Sequence, residues 1–148
     1  MNTKDRSGVA ARTNGSVVGA VGVLLRFEGL ALFLAATMMF SLVHGRWSIY
    51  ALLFLSPDLS LAAYLGGPKT GAIAYNTLHS SIGPLLLGLA AVSGAVAGAG
   101  PVALIWLAHI GFDRAAGFGL KYASAFSHTH FGAGAGSGSP RALSGRSA

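Results

Sequence analysis

The sequence predicts an all-α integral membrane protein, a bundle of four transmembrane helices. Three observations carry this. Of its 148 residues 53% are hydrophobic and only 9% are charged, against about 25% charged in a soluble domain. The apolar residues gather into four segments near the roughly 20 residues that cross a bilayer. Strand alternation is absent, so no closed barrel competes.

Residues 1–16 are polar and rich in Gly, Asn and Ser, an expected disordered N-terminus. Residues 17–131 form the membrane domain. The first helix, 17–43, contains Arg26 and Glu28. Its apolar run is too long for a signal-peptide core and is broken by charge, so it reads as a retained span. His44-Gly45-Arg46 is a turn, and Trp47 and Tyr50 suit the membrane interface. The second segment, 47–65, contains Pro57-Asp58, where the missing N–H predicts a kink or break. After a turn at 66–70, the third helix spans 71–93 and carries Tyr75, Asn76 and His79. Gly94 and Gly98 have small-xxx-small spacing, which suits helix contact; a glycine-rich loop fits them as well. The fourth helix spans 101–120. An amphipathic exit follows at 121–131, with His128 and His130 as interfacial polar residues. Residues 132–148 are a Gly/Ser/Ala tail expected to be disordered.

The net charge is +6. Lys4, Arg6, Arg12, Lys69, Lys121, Arg141 and Arg146 flank one side, and Arg46 the other. Both termini are therefore expected on the cytoplasmic face of the inner (plasma) membrane. The basic flanks fit an anionic lipid surface, and the lipid bilayer is the expected surrounding. No basic stripe interleaved with aromatics suggests nucleic acid. Without cysteine, disulfides, thiolate chemistry and iron–sulfur clusters are excluded. Small residues at Gly83, Gly88, Gly94 and Gly98 suggest a homo-oligomer.

At a rise of about 1.5 Å per residue, the ionisable groups fall in one layer. Glu28, Asp58, His79 and Asp113 lie slightly to the cytoplasmic side of centre and His109 near it. Arg26, Asn76 and Arg114 stand a little further in. Intramembrane charges are costly and face the bundle interior, and His109 and Asp113, four apart, share a helix face. Three readings follow. The first is a divalent metal site, such as zinc, with hydrolase-like chemistry, built from Asp58, His79, His109 and Asp113 with Glu28 completing the layer. The second is a structural ion-pair network in which Arg26 and Arg114 neutralise two carboxylates. The third is a proton or small-cation transporter subunit. Two histidines on separate helices would also suit axial haem ligation. In the metal reading Arg114 pairs with a carboxylate, and Asn76 orients a ligand.

The motifs Ser56-Pro57-Asp58-Leu59-Ser60, Gly71-Ala72-Ile73-Ala74-Tyr75-Asn76-Thr77-Leu78-His79 and Trp106-Leu107-Ala108-His109-Ile110-Gly111-Phe112-Asp113-Arg114 occur in this order. Gly117-Phe118-Gly119-Leu120-Lys121-Tyr122 and Thr129-His130 follow. Together they resemble domain-of-unknown-function family 4260, small bacterial membrane proteins, over about residues 25–132. Ala63 and Phe118 stand where that family usually has Gly and Tyr. The resemblance implies a four-helix integral membrane protein and no particular activity. Pro57-Asp58 followed by His79 is also similar, more faintly, to inner-membrane metal-dependent hydrolases, although the histidine-dense motifs of those enzymes are missing.

Overall fold

A computed structural model of the chain describes residues 19–121, 128–129 and 132–133. The fold is all-α. Its helices are α1 (Ala20–Leu42), α2 (Trp47–Phe54), α3 (Pro68–His79), α4 (Ile82–Val92) and α5 (Ala99–Ala116). A 3₁₀ helix, Ser56–Gly66, joins α2 to α3. Beyond α5, the two-residue strands β1 (His128–Thr129) and β2 (Gly132–Ala133) pair antiparallel. Residues 132 and 133 were expected in the disordered tail; the rest of that tail, and residues 1–16, lie outside the described residues.

α5 is the centre: α1, α2 and α4 pack on it, and α3 packs on the 3₁₀ helix. The α1–α5 crossing is close because Gly29 and Gly111 meet there. A Cβ on Gly111 would stand 2.5 Å from the Phe33 amide nitrogen and 2.8 Å from the Gly29 carbonyl. Only a residue without a side chain lets backbones approach this far. α5 ends in a Schellman motif. Gly117 adopts φ 91°, Phe118 N donates to the Asp113 carbonyl at 2.7 Å, and Gly117 N to that of Arg114 at 3.1 Å.

Two prolines break the helical path. Pro57 has no N–H to offer the Leu53 carbonyl, and the Ser56 hydroxyl donates to that carbonyl instead, at 2.7 Å. The helix continues beyond it in 3₁₀ form, the break expected from the sequence. The second break was not expected. Residues 71–93 do not form one helix, because Ser80 turns extended (φ −84°, ψ 145°) between α3 and α4. Pro84 lies four residues on, so it cannot donate to the Ser80 carbonyl and its ring would clash with it. α3 also begins earlier than expected, with Pro68 in its first turn, where a missing N–H costs nothing.

The interior is small and the exterior apolar. Ala72, Ala99, Ala103 and Ala108 are buried, together with Phe40, Tyr75, Ile105 and Ile110. Leu65 (94% exposed), Val92 (89%) and Leu52 (76%) face outward. A soluble monomer rarely exposes apolar surface on this scale. Ala20–Leu42 and Trp47–Gly66 are each long and apolar enough to cross a membrane. Three of the glycines read as oligomer contacts, Gly83, Gly94 and Gly98, have roles within the chain. Gly94 and Gly98 have φ 76° and 75°, loop conformations that favour glycine. A Cβ on Gly83 would stand 2.6 Å from the Trp106 ring of the same chain.

Candidate metal centre

The two breaks and the central helix each deliver donors to one point. Asp58 lies in the first turn of the 3₁₀ helix, directly after Pro57. His79 is the last residue of α3, directly before the second break. His109 and Asp113 project one turn apart from α5. Their donor atoms all lie within 4.8 Å of one another.

The separations are regular. His79 Nε2 is 3.2 Å from His109 Nε2. It is 3.4 Å from Asp113 Oδ2 and 3.5 Å from Asp58 Oδ1. His109 Nε2 is 3.6 Å from Asp113 Oδ2 and 3.7 Å from Asp58 Oδ1. A tetrahedral ion with bonds of about 2.0–2.1 Å needs donor–donor edges of about 3.3–3.4 Å. Five edges of the candidate tetrahedron fall near that value.

Hydrogen bonding orients these groups. His79 Nδ1 is 2.9 Å from the Tyr75 carbonyl, an acceptor only. Nδ1 must therefore carry the hydrogen, which leaves the Nε2 lone pair facing the carboxylates. The Tyr75 ring stacks on His79, centroids 3.7 Å apart and planes at 11°. Its hydroxyl donates to Asp113 Oδ2 at 3.4 Å. The Phe54 ring meets His109 edge-on at 5.4 Å. Both histidines are buried, whereas the Asp58 side chain is 41% exposed. A cleft of about 10 Å³, lined by Tyr75, His79, Asp113 and Arg114, adjoins the centre. It is close to the smallest space that holds one water.

Three sequence expectations are corrected. Glu28 does not complete the layer; it is exposed on α1 and outside the cluster. Its neighbour Gly29 occupies the contact with α5, and one helical step, about 100°, turns Glu28 off that face. Arg114 follows Asp113 in the same way. Among the described residues neither Arg26 nor Arg114 pairs with Asp58 or Asp113. Arg26 instead lies against Gly117. Asn76 orients no donor: its side chain clasps the Lys121 backbone, Nδ2 donating to the carbonyl at 2.8 Å and Oδ1 accepting from the amide at 2.7 Å.

That clasp brings the Lys121 ammonium over the Tyr75 ring, 4.8 Å from its centroid. Burial pushes the ammonium below its usual lysine range, and the Asp113 carboxylate pulls it back up. Sequence reasoning also missed Trp106. Its indole N–H donates at 2.6 Å to the Leu78 carbonyl, next to His79 and close to the second break. An aromatic one turn before His109 was the available signal. His44 sits in its predicted turn with φ 52°. His128 begins β1, and His130 lies outside the described residues.

No curated protein and no solved structure matches the chain. A family model described as a domain of unknown function (DUF4260) matches residues 22–133, a span that holds all four donors, and the chain belongs to that family.

Proposed function

We propose that the chain is a multi-pass membrane protein holding one divalent transition metal, zinc by preference, between Asp58, His79, His109 and Asp113. The observation that carries this reading is the convergence of four potential ligand atoms within 4.8 Å of one another, five of their separations being 3.2–3.7 Å. Two carboxylates and the His79 Nε2 lone pair converge with His109 Nε2, and a cation between them would satisfy all four once His109 carries its hydrogen on Nδ1. Among the described residues no arginine pairs with Asp58 or Asp113, and the cation that acts on Asp113 is the Lys121 ammonium. A divalent ion would cancel the two carboxylate charges. Mixed imidazole and carboxylate donors suit zinc.

In this reading α1, α2 with the 3₁₀ helix, α3 with α4, and α5 make four crossings, with both termini cytoplasmic. Irregular backbone at membrane depth is tolerated where it is packed against protein, as the two breaks are. Glu28, exposed on α1, is a charge that a second copy of the chain would cover. The supporting test is metal analysis of the purified protein. About one zinc per chain is expected, falling to a trace in His79→Ala; a metal-free, folded wild-type protein after zinc exposure would refute the reading.

A specific observation favours hydrolytic chemistry over a closed structural site. Asp58 is the one donor substantially exposed, on an irregular 3₁₀ segment rather than an α-helix. A catalytic zinc keeps three protein ligands and gives the fourth position to water. Asp58 is the donor placed to yield it, and to take the proton that a zinc-bound water releases.

A further inference from the structure

A half-enclosed cleft of about 160 Å³ lies beside the donors. Pro57 and Leu78 in its wall immediately precede Asp58 and His79. Ile105 and Trp106 lie one turn before His109 on α5. Each of the three elements that supplies a donor thus also lines the cleft, although none of the four donors does.

Its chemistry is apolar, and its two side-chain polar groups are already used. The Ser56 hydroxyl donates to the Leu53 carbonyl and the Trp106 indole to the Leu78 carbonyl. Both carbonyls lie beside a break, so the groups that repair the helical path also leave the cleft without a free donor. Water gains nothing there. A dry cavity of about 150 Å³ takes one benzene, about six carbons. This cleft matches that size, and Val102 in its wall belongs to the exposed apolar exterior.

We infer that the cleft holds the first several carbons of a single acyl chain, with the carbonyl that the chain carries placed at the metal centre. The inference rests on the metal reading above and gives that site a substrate class: an amphiphile whose ester or amide carbonyl adjoins a hydrocarbon chain. The chain enters from the bilayer and its distal part remains there. At the site, a water that the metal would activate, its proton taken by Asp58, would add to the carbonyl carbon. The acyl C–O or C–N bond would break and the proton would pass to the leaving alkoxide or amine. A fatty acid and an alcohol or amine would result, with water as the only co-reactant.

Trp106 reports the occupant directly. With Trp47→Phe, it is the chain's sole tryptophan. The zinc-loaded full chain, in nanodiscs of unbrominated phosphatidylcholine, is titrated with palmitohydroxamic acid brominated either near its head or near its tail. The hydroxamate binds the metal, and bromine quenches indole fluorescence on contact. The expected result is saturable loss of most Trp106 emission with the head-brominated probe and little with the tail-brominated one. Val102→Phe, which fills the cleft away from the donors, should abolish the saturable phase while leaving zinc content unchanged. Equal, unsaturable quenching by both probes, or quenching indifferent to Val102→Phe, would overturn the cleft assignment while zinc content upholds the metal centre. A protein that binds no zinc would overturn both.

Discussion

His79 Nε2 and His109 Nε2 face each other at 3.2 Å across the junction of α3 and α5. The hydrogen bond from His79 Nδ1 to the Tyr75 carbonyl leaves the nearer nitrogen of His79 as a lone pair. With Asp58 Oδ1 and Asp113 Oδ2 at 3.4–3.7 Å from the two imidazoles, four side-chain polar atoms from three elements meet at the junction.

The four donors should not be equivalent. His79→Ala, His109→Ala and Asp113→Ala remove buried or nearly buried ligands. Each should weaken zinc binding by more than the roughly 10–100-fold that losing an outer-shell partner costs. Asp58→Ala removes the most exposed donor, which water can replace, and should cost least. Competition with a zinc chelator measures the series; an Asp58 variant weaker than His79→Ala would contradict the ordering.

Tyr75→Phe keeps the ring stacked on His79 and deletes the long hydrogen bond to Asp113. Zinc affinity should fall by about 10-fold or less, at the mild end of outer-shell effects. A loss as large as that of Asp113→Ala would mean that the hydroxyl is itself a ligand.

Asn76→Ala should act on stability rather than on the metal. It leaves the Lys121 amide and carbonyl without their side-chain partner, at a cost of about 1–3 kcal/mol. The thermal midpoint of the apo protein should drop while zinc affinity changes little. The opposite pattern would return Asn76 to the role of orienting a ligand.

Gly111→Ala tests the helix crossing. Its Cβ would meet the backbone of Phe33 and Gly29, which cannot move as a side-chain tip can. Overpacking of this kind costs about 1–3 kcal/mol. His109 and Asp113 sit half a turn to either side, so zinc binding should weaken along with folding. An unaffected melting profile would place α1 elsewhere.

The sequence made the four donors legible for two reasons. A four-residue interval fixes a shared helix face, which paired His109 with Asp113, and a common rise fixes depth, which brought in Asp58 and His79. Depth carries no angle, and Glu28 shows the consequence: it stands at a fitting level and is exposed on α1, outside the cluster. The break after His79 was written in Pro84, four residues beyond the carbonyl it fails to bond, but the apolar run around it masked the signal. Asn76 was misread because its partner, the Lys121 backbone, lies 45 residues away and has no sequence signature. The closeness of α1 to α5 depends on single glycines facing each other, and one chain read in order does not pair them.

Zinc also links the centre to pH. Its ligands bind deprotonated, so metal uptake expels protons and lowering pH favours release. Once both imidazoles are protonated, two protons leave per zinc bound, and apparent affinity should fall by about two decades per pH unit. A pH-independent affinity would exclude histidine ligation.

The most direct measurement is X-ray absorption at the zinc edge of the loaded, full-length protein. The account predicts four nitrogen or oxygen neighbours at about 2.0–2.2 Å, no sulfur, and outer-shell scattering from two imidazoles. One imidazole should vanish in His109→Ala, if zinc is retained at high concentration. A six-oxygen shell without imidazole scattering would contradict the account, because it would place the zinc away from His79 and His109.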